Sequence, residues 1–178
     1  MKMYRCRICG ETYLGSEPPS HCPFCGAHAH LIIDTFEYPE DINEVDLTAV
    51  ERNDIMQAIE LERANTRFYL AMAAHRDNMK LSSAYKRLAK IEAEHCSVFC
   101  KLAKLAKPAD LMEPDVAPDD WCTNIDESLA REQRASRFYA EAGSRATNDR
   151  VREVFAAVSD IEVDHIDLDN LAKKVAGC

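Results

Sequence analysis

The chain has 178 residues, enough for one or two domains, and 47% of them are hydrophobic, so a substantial core can form. Its 31 acidic residues against 22 basic ones give a formal charge of −9, which makes nucleic acid and anionic membranes poor partners. No apolar run approaches the roughly 18 residues of a membrane span, and the opening "MKMYRCRIC" carries no signal-type stretch, so the expectation is a soluble cytoplasmic protein.

Residues 1–36 are short, aromatic and rich in turn formers, too few to fold around apolar contacts alone. They contain Cys6-x-x-Cys9 and Cys22-x-x-Cys25, separated by twelve residues, each pair followed by a glycine, Gly10 and Gly26. A glycine there permits the tight knuckle whose N–H groups point at sulfur, and two such pairs predict a tetrahedral metal site. Spacing alone leaves zinc and iron equally open. Cys96, Cys100, Cys122 and Cys178 are expected as free thiols, as suits a reducing compartment. His21, His28 and His30 are read as solvated side chains, not ligands.

Residues 37–47, "EYPEDINEVDL", form an acidic, proline-interrupted linker. From 48 to 178 the composition changes, and apolar residues recurring at three and four predict helices over 48–77, 81–107, 124–147 and 149–176. The breaks at 76–82 and 146–149 suit antiparallel hairpins. The segment 108–122 is long for a loop; at ~3.3 Å per residue it reaches ~50 Å, against about 40 Å for a helix of this length, so it can cross the whole bundle.

The two hairpins repeat at an offset of 70 residues. "ERANTRFYLA" from Glu62 matches "EQRASRFYAE" from Glu132, and "IEAEH" at 91–95 matches "IEVDH" at 161–165. Each hairpin thus supplies one lone glutamate, Glu62 or Glu132, and one Glu-x-x-His, Glu92/His95 or Glu162/His165. Counting by helical turns puts all four carboxylates on inward, apolar faces. Such a cluster is too costly to bury unless protons or cations neutralise it. Two divalent cations balance four glutamates, two imidazoles add neutral donors, and the mixture favours iron or manganese. This is the ligand set of ferritin-like di-iron bundles. Tyr69 and Tyr139, seven residues beyond the lone glutamates, read equally well as hydrogen-bond donors to the ligands or as core tyrosines.

On these motifs the chain resembles the rubrerythrin family. "YRCRICGETYLG…CPFCGA" is similar to its small rubredoxin-type domain, and the repeated Glu plus Glu-x-x-His resembles its ferritin-like bundle. The expected architecture is mainly α: a rubredoxin-like four-cysteine iron domain at 1–36, the linker 37–47, and a ferritin-like four-helix bundle at 48–178. The order, cysteine domain first, is that of the so-called reverse rubrerythrins. Rubrerythrins usually carry a further glutamate one turn after the third-helix ligand; here that position is Ala135, with Asn65 its counterpart in the first hairpin. Six protein ligands remain, more like bacterioferritin.

The resemblance implies a non-haem di-iron peroxidase acting in oxidative-stress defence. Hydrogen peroxide would be reduced to water at iron held by Glu62, Glu92, His95, Glu132, Glu162 and His165, with Glu92 and Glu162 as bridges. An iron on Cys6, Cys9, Cys22 and Cys25 would return the electrons, supplied by a reductase or a rubredoxin. A ferroxidase or oxygen reductase suits the six-ligand set equally; a zinc ribbon on a structural bundle is the alternative from another class. The linker gives no assurance that the cysteine site reaches the bundle centre within one chain, so a homodimer is expected, and the resemblance supports it.

Overall fold

A computed structural model describes residues 1–116 and 120–178. The N-terminal lobe is a three-stranded antiparallel sheet: β1 (Lys2–Cys6) lies between β2 (Thr12–Gly15) and β3 (Ile32–Asp34). Tyr4 stands opposite Tyr13 on one side and Asp34 on the other. Such a sheet has little apolar content to bury, and its interior is Tyr4, Ile8 and Ile32 around four buried cysteines. Both Cys-x-x-Cys turns close as their glycines allow. Gly10 and Gly26 have φ of +81° and +82°, and their N–H groups donate to the carbonyls of Cys6 and Cys22, each at 2.9 Å.

Four helices follow: α1 (Ala49–Ala73), α2 (Met79–Ala103), α3 (Trp121–Arg145) and α4 (Asp149–Ala176). The last coincides with the span expected from periodicity, and the other limits shift by a few residues because capping chemistry overrides apolar spacing. Asn78 caps α2 through the Leu81 N–H, starting it before residue 81. Lys104 adopts φ 57°, and Leu105 N–H reaches back to the Cys100 carbonyl at 2.9 Å, ending α2 short of 107. Asp120 caps α3 through the Thr123 N–H, so Trp121 becomes its first residue.

Trp121 Nε1 donates to Asp77 at 2.9 Å, which puts the start of α3 beside the α1–α2 turn. Because α2 ends at the opposite pole, the connection after it travels the length of the bundle. Part of that expected crossover, residues 117–119, lies outside the described residues. On its way Asp110 pairs with Arg63 and with Arg67 of α1. At the other pole Glu51 accepts from the Thr147 and Asn148 N–H groups in the α3–α4 turn, at 2.9 and 2.8 Å. The two hairpins therefore lie head to tail.

One cysteine expectation is corrected. Cys122 and Cys178 form a disulfide with Cα atoms 5.8 Å apart. The start of α3 and the end of α4 meet at one pole of an antiparallel hairpin, so residues 56 apart in sequence become neighbours. Cys96 and Cys100 stay free and buried. No helix, among the described residues, is long and apolar enough to cross a membrane.

Candidate metal centres

The N-terminal lobe docks against α2 and α4 of its own chain. Arg7 pairs with Glu153 at 2.7 Å, Arg150 donates to the Ile8 carbonyl at 3.2 Å, and Lys101 donates to the Cys9 carbonyl at 2.7 Å. Gly26 packs so close to α4 that a Cβ would stand 2.9 Å from Ile161 Cγ2. The distance argument for a homodimer does not arise in this arrangement, since the linker brings the cysteines to the bundle within one chain.

Cys6, Cys9, Cys22 and Cys25 converge, with Sγ separations of 3.7 Å (Cys6–Cys25) and 3.8 Å (Cys9–Cys22). The Glu11 N–H points at Cys9 Sγ from 3.5 Å, the knuckle contact that stabilises a thiolate. Close packing of the four sulfurs holds the Cys22 thiol low and pushes Cys9 and Cys25 up. Four buried, converging sulfurs form a rubredoxin-like site, and the donor set fits a single iron.

Inside the bundle, Glu62 on α1, Glu92 and His95 on α2, Glu132 on α3, and Glu162 and His165 on α4 come together. Their ligand atoms form two groups that share Glu92 and Glu162: one with Glu62 and His95, the other with Glu132 and His165. His95 Nδ1 lies 3.6 Å from Glu62, 3.4 Å from Glu92 and 3.5 Å from Glu162. His165 Nδ1 lies 2.8 Å from Glu162, 3.0 Å from Glu92 and 3.6 Å from Glu132. The i, i+3 spacing stacks each glutamate over its histidine, and the repeat places the two rings face to face, centroids 6.0 Å apart.

The carboxylates and imidazoles of this cluster perturb one another strongly. Burial, then the neighbouring Glu92 or Glu162 charge, pushes Glu62 and Glu132 well above the usual carboxylate range. Burial acts the same way on Glu92 and Glu162, but the adjacent His165 and the neighbouring carboxyls outweigh it and both are held low. Burial opposes a charged imidazole, yet the carboxylates around His95 and His165 raise both well above the ordinary value. No hydrogen bond among the described residues reaches Glu62 Oε2, either oxygen of Glu92, Glu132 Oε2, Glu162 Oε1 or His95 Nδ1. Buried oxygens are seldom left so, and a shared carboxylate pair flanked by two imidazoles fits two iron ions.

The tyrosines donate across the repeat, not within it. Tyr69 of α1 donates to Glu132 of α3, and Tyr139 of α3 donates to Glu62 of α1 at 2.6 Å. Burial, then the facing carboxylate, pushes both phenols up, so they stay protonated donors.

The structure adds residues that motif reading passed over. Asp169 is fully buried on α4, one turn past His165, and accepts from Tyr85 at 2.8 Å and from Ser128 at 2.7 Å. Ser128 Oγ is also 3.3 Å from the Tyr69 hydroxyl, so Asp169, Ser128, Tyr69 and Glu132 form a continuous chain. Burial holds Asp169 up at about 6, against the downward pull of Ser128 and Tyr85. A signal existed: Asp169 stands seven residues after Glu162, as Tyr69 and Tyr139 stand seven after their glutamates. Ala135 is buried and Asn65 Oδ1 takes a 3.4 Å contact from Arg131, so neither position adds a carboxylate.

Among the described residues, solvent reaches the cluster at His165. Of the six ligand candidates, His165 is 5% exposed and Glu132, like the remaining four, is at zero. A cleft of about 360 Å³ ends at His165, walled by His21, Pro23, Gly26, Arg87 and Asp164.

The two centres touch. His95 Nε2 donates to the Cys25 carbonyl at 2.8 Å, in a fully buried contact, which turns Nδ1 toward the carboxylates.

Comparisons with known proteins agree with this construction. The rubrerythrin rubredoxin-like domain matches residues 4–30. Reverse rubrerythrin-1 of Clostridium acetobutylicum is 33% identical over 112 residues, covering 57% of this chain and 62% of that protein. No solved structure matches the chain. The chain is thus similar to a reverse rubrerythrin over part of its length, and its rubredoxin-like segment lies ahead of a four-helix bundle.

Proposed function

We propose that the chain is a non-haem di-iron peroxidase that reduces hydrogen peroxide to two waters, taking up two electrons and two protons. The observation that carries this reading is the hydrogen bond from His95 to the Cys25 carbonyl. A storage or structural bundle has no use for a second redox centre wired to a ligand of the first; a catalyst that must be re-reduced does.

When bound, the di-iron pair supplies the two electrons and the Lewis acidity that cleave the O–O bond. The chain supplies the rest. Glu92 and Glu162, which belong to both ligand groups, would hold the pair together, while Glu62/His95 and Glu132/His165 would complete one position each. The cleft at His165 admits a molecule as small as peroxide and leaves the other ligands dry. A protonated Asp169 gives its proton to Ser128, which turns its own toward Tyr69, and Tyr69 passes one to Glu132 at the centre's edge. Electrons return from the cysteine site through the Cys25 carbonyl and the His95 ring, and the cysteine site is in turn reduced by a reductase or a rubredoxin.

The test is anaerobic mixing of fully reduced, iron-loaded protein with hydrogen peroxide. Consumption of one peroxide per di-iron pair within the stopped-flow time, with oxidation of iron, is expected; persistence of peroxide beside ferrous protein would remove the reading. Ala135 favours a second reading, since six ligands without a further carboxylate also suit oxygen reduction or ferrous iron oxidation. A faster reaction with oxygen than with peroxide would select it.

A further inference from the structure

Asp164 precedes His165 on α4 but points outward, to the cleft mouth, where two imidazoles of the N-terminal lobe meet it. His28 Nε2 stands 2.8 Å from Asp164 Oδ2, and His21 Nε2 stands 3.6 Å from the same oxygen. The two histidines face each other across an isolated antiparallel bridge, with ring centroids 5.0 Å apart and edge to face. Ser20 Oγ, 3.1 Å from His21 Nδ1, holds that ring so that Nε2 is turned toward the carboxylate. All three donor atoms lie within 4.8 Å of one another.

We propose that His21, His28 and Asp164 bind a divalent transition-metal ion, separate from both iron centres, at the seam between the N-terminal lobe and α4. Two imidazoles and a carboxylate are a donor set for zinc and its neighbours, whose ligands stand about 2.0–2.2 Å from the ion and hence roughly 3.3–3.5 Å from each other in a tetrahedron. The separations of 2.8 and 3.6 Å straddle that spacing, so side-chain rotation alone closes the site. A plain ion pair accounts for His28 and Asp164; it does not account for His21, whose second nitrogen is anchored so that the first faces the same oxygen. Ser20 then acts as the outer partner that orients a metal-binding imidazole. The side chains keep 53%, 35% and 45% of their surface open to solvent, which leaves the remaining coordination position to water and makes the ion exchangeable.

Position gives the site two consequences. A bound ion ties His21, the residue before Cys22, and His28 to α4, and so fixes the lobe whose Cys25 carbonyl contacts His95. His21 and Asp164 also wall the cleft that ends at His165, so the ion narrows the entrance to the di-iron centre.

Zinc is the probe. Iron-loaded protein is titrated with zinc by calorimetry, and zinc and iron are then quantified after gel filtration. One zinc per chain beyond the resident iron, with the iron retained, is expected. His21→Ala preserves the His28–Asp164 pair and removes only the third donor, so it is expected to weaken zinc binding at least about tenfold, and Asp164→Asn likewise. His30→Ala, which alters the next histidine along the chain, is expected to leave binding unchanged. Zinc uptake matched by iron loss, absence of the extra zinc, or equal affinity in His21→Ala would each overturn the proposal.

Discussion

The two helical hairpins carry the same ligands but differ in what surrounds them. In register, Tyr85, Ser128 and Asp169 correspond to Phe155, Ala58 and Phe99. Tyr69 therefore ends a polar chain that runs to a buried carboxylate, whereas Tyr139 is packed between the rings of Phe99 and Phe155, at 5.6 and 6.0 Å, and donates to Glu62. Repetition preserves what the metal pair demands. Divergence marks the side that, in the proposed function, brings protons in.

The poles differ as well. The α3–α4 hairpin is closed by Cys122–Cys178, while the corresponding positions in the first hairpin are Arg52 and Pro108. Closing a loop of 56 residues removes roughly 4 kcal/mol of unfolded-chain entropy. Cys122→Ser is thus expected to give the largest loss, about 2–4 kcal/mol in urea unfolding under non-reducing conditions. A variant as stable as the parent would mean that the two hairpins are equally self-sufficient.

Asp169→Asn breaks the polar chain with little change in shape. Peroxide turnover is expected to fall about tenfold to a hundredfold. The pH profile gives the sharper reading. With its value held at about 6, Asp169 is protonated below that pH and able to donate, so turnover in the parent declines as pH rises through about 6, and the decline is absent in the variant. The stability effect has the opposite sense: a carboxyl raised above its unfolded value favours the fold below about 4 and loses that contribution as pH rises through about 6, so the substitution costs no stability at neutral pH. A variant that loses stability and turnover together, with the pH profile unchanged, would reduce Asp169 to a packing role.

The smallest expected effect compares the tyrosines directly. Tyr69→Phe is expected to slow turnover several-fold more than Tyr139→Phe, since each removes one hydrogen bond to a ligand but only Tyr69 lies on the proton chain. Equal effects would make the asymmetry structural.

Much of this was legible in the sequence because it rests on periodicity. The 70-residue repeat and the inward faces place Glu62, Glu92, His95, Glu132, Glu162 and His165 together with no knowledge of the loops. Helix ends were less legible, since Asn78, Lys104 and Asp120 set them through single capping contacts that carry no periodic signal. The disulfide was hidden by the expectation of free thiols, although helices of similar length on either side of Asn148 bring residues 122 and 178 to one pole. Docking of the lobe was not legible at all. It depends on paired contacts between segments far apart in the chain, Arg7 with Glu153, Lys101 with Cys9, and Gly26 against Ile161.

That docking carries the functional account, and one kinetic measurement addresses it. Fully reduced, iron-loaded protein is mixed with one equivalent of hydrogen peroxide, and the reappearance of ferric–thiolate absorption from Cys6, Cys9, Cys22 and Cys25 is followed at several protein concentrations. If His95 and Cys25 link the centres within a chain, the cysteine iron oxidises after peroxide is consumed, at a first-order rate independent of concentration. A cysteine site that stays reduced, or one whose oxidation rate scales with protein concentration, would contradict the account.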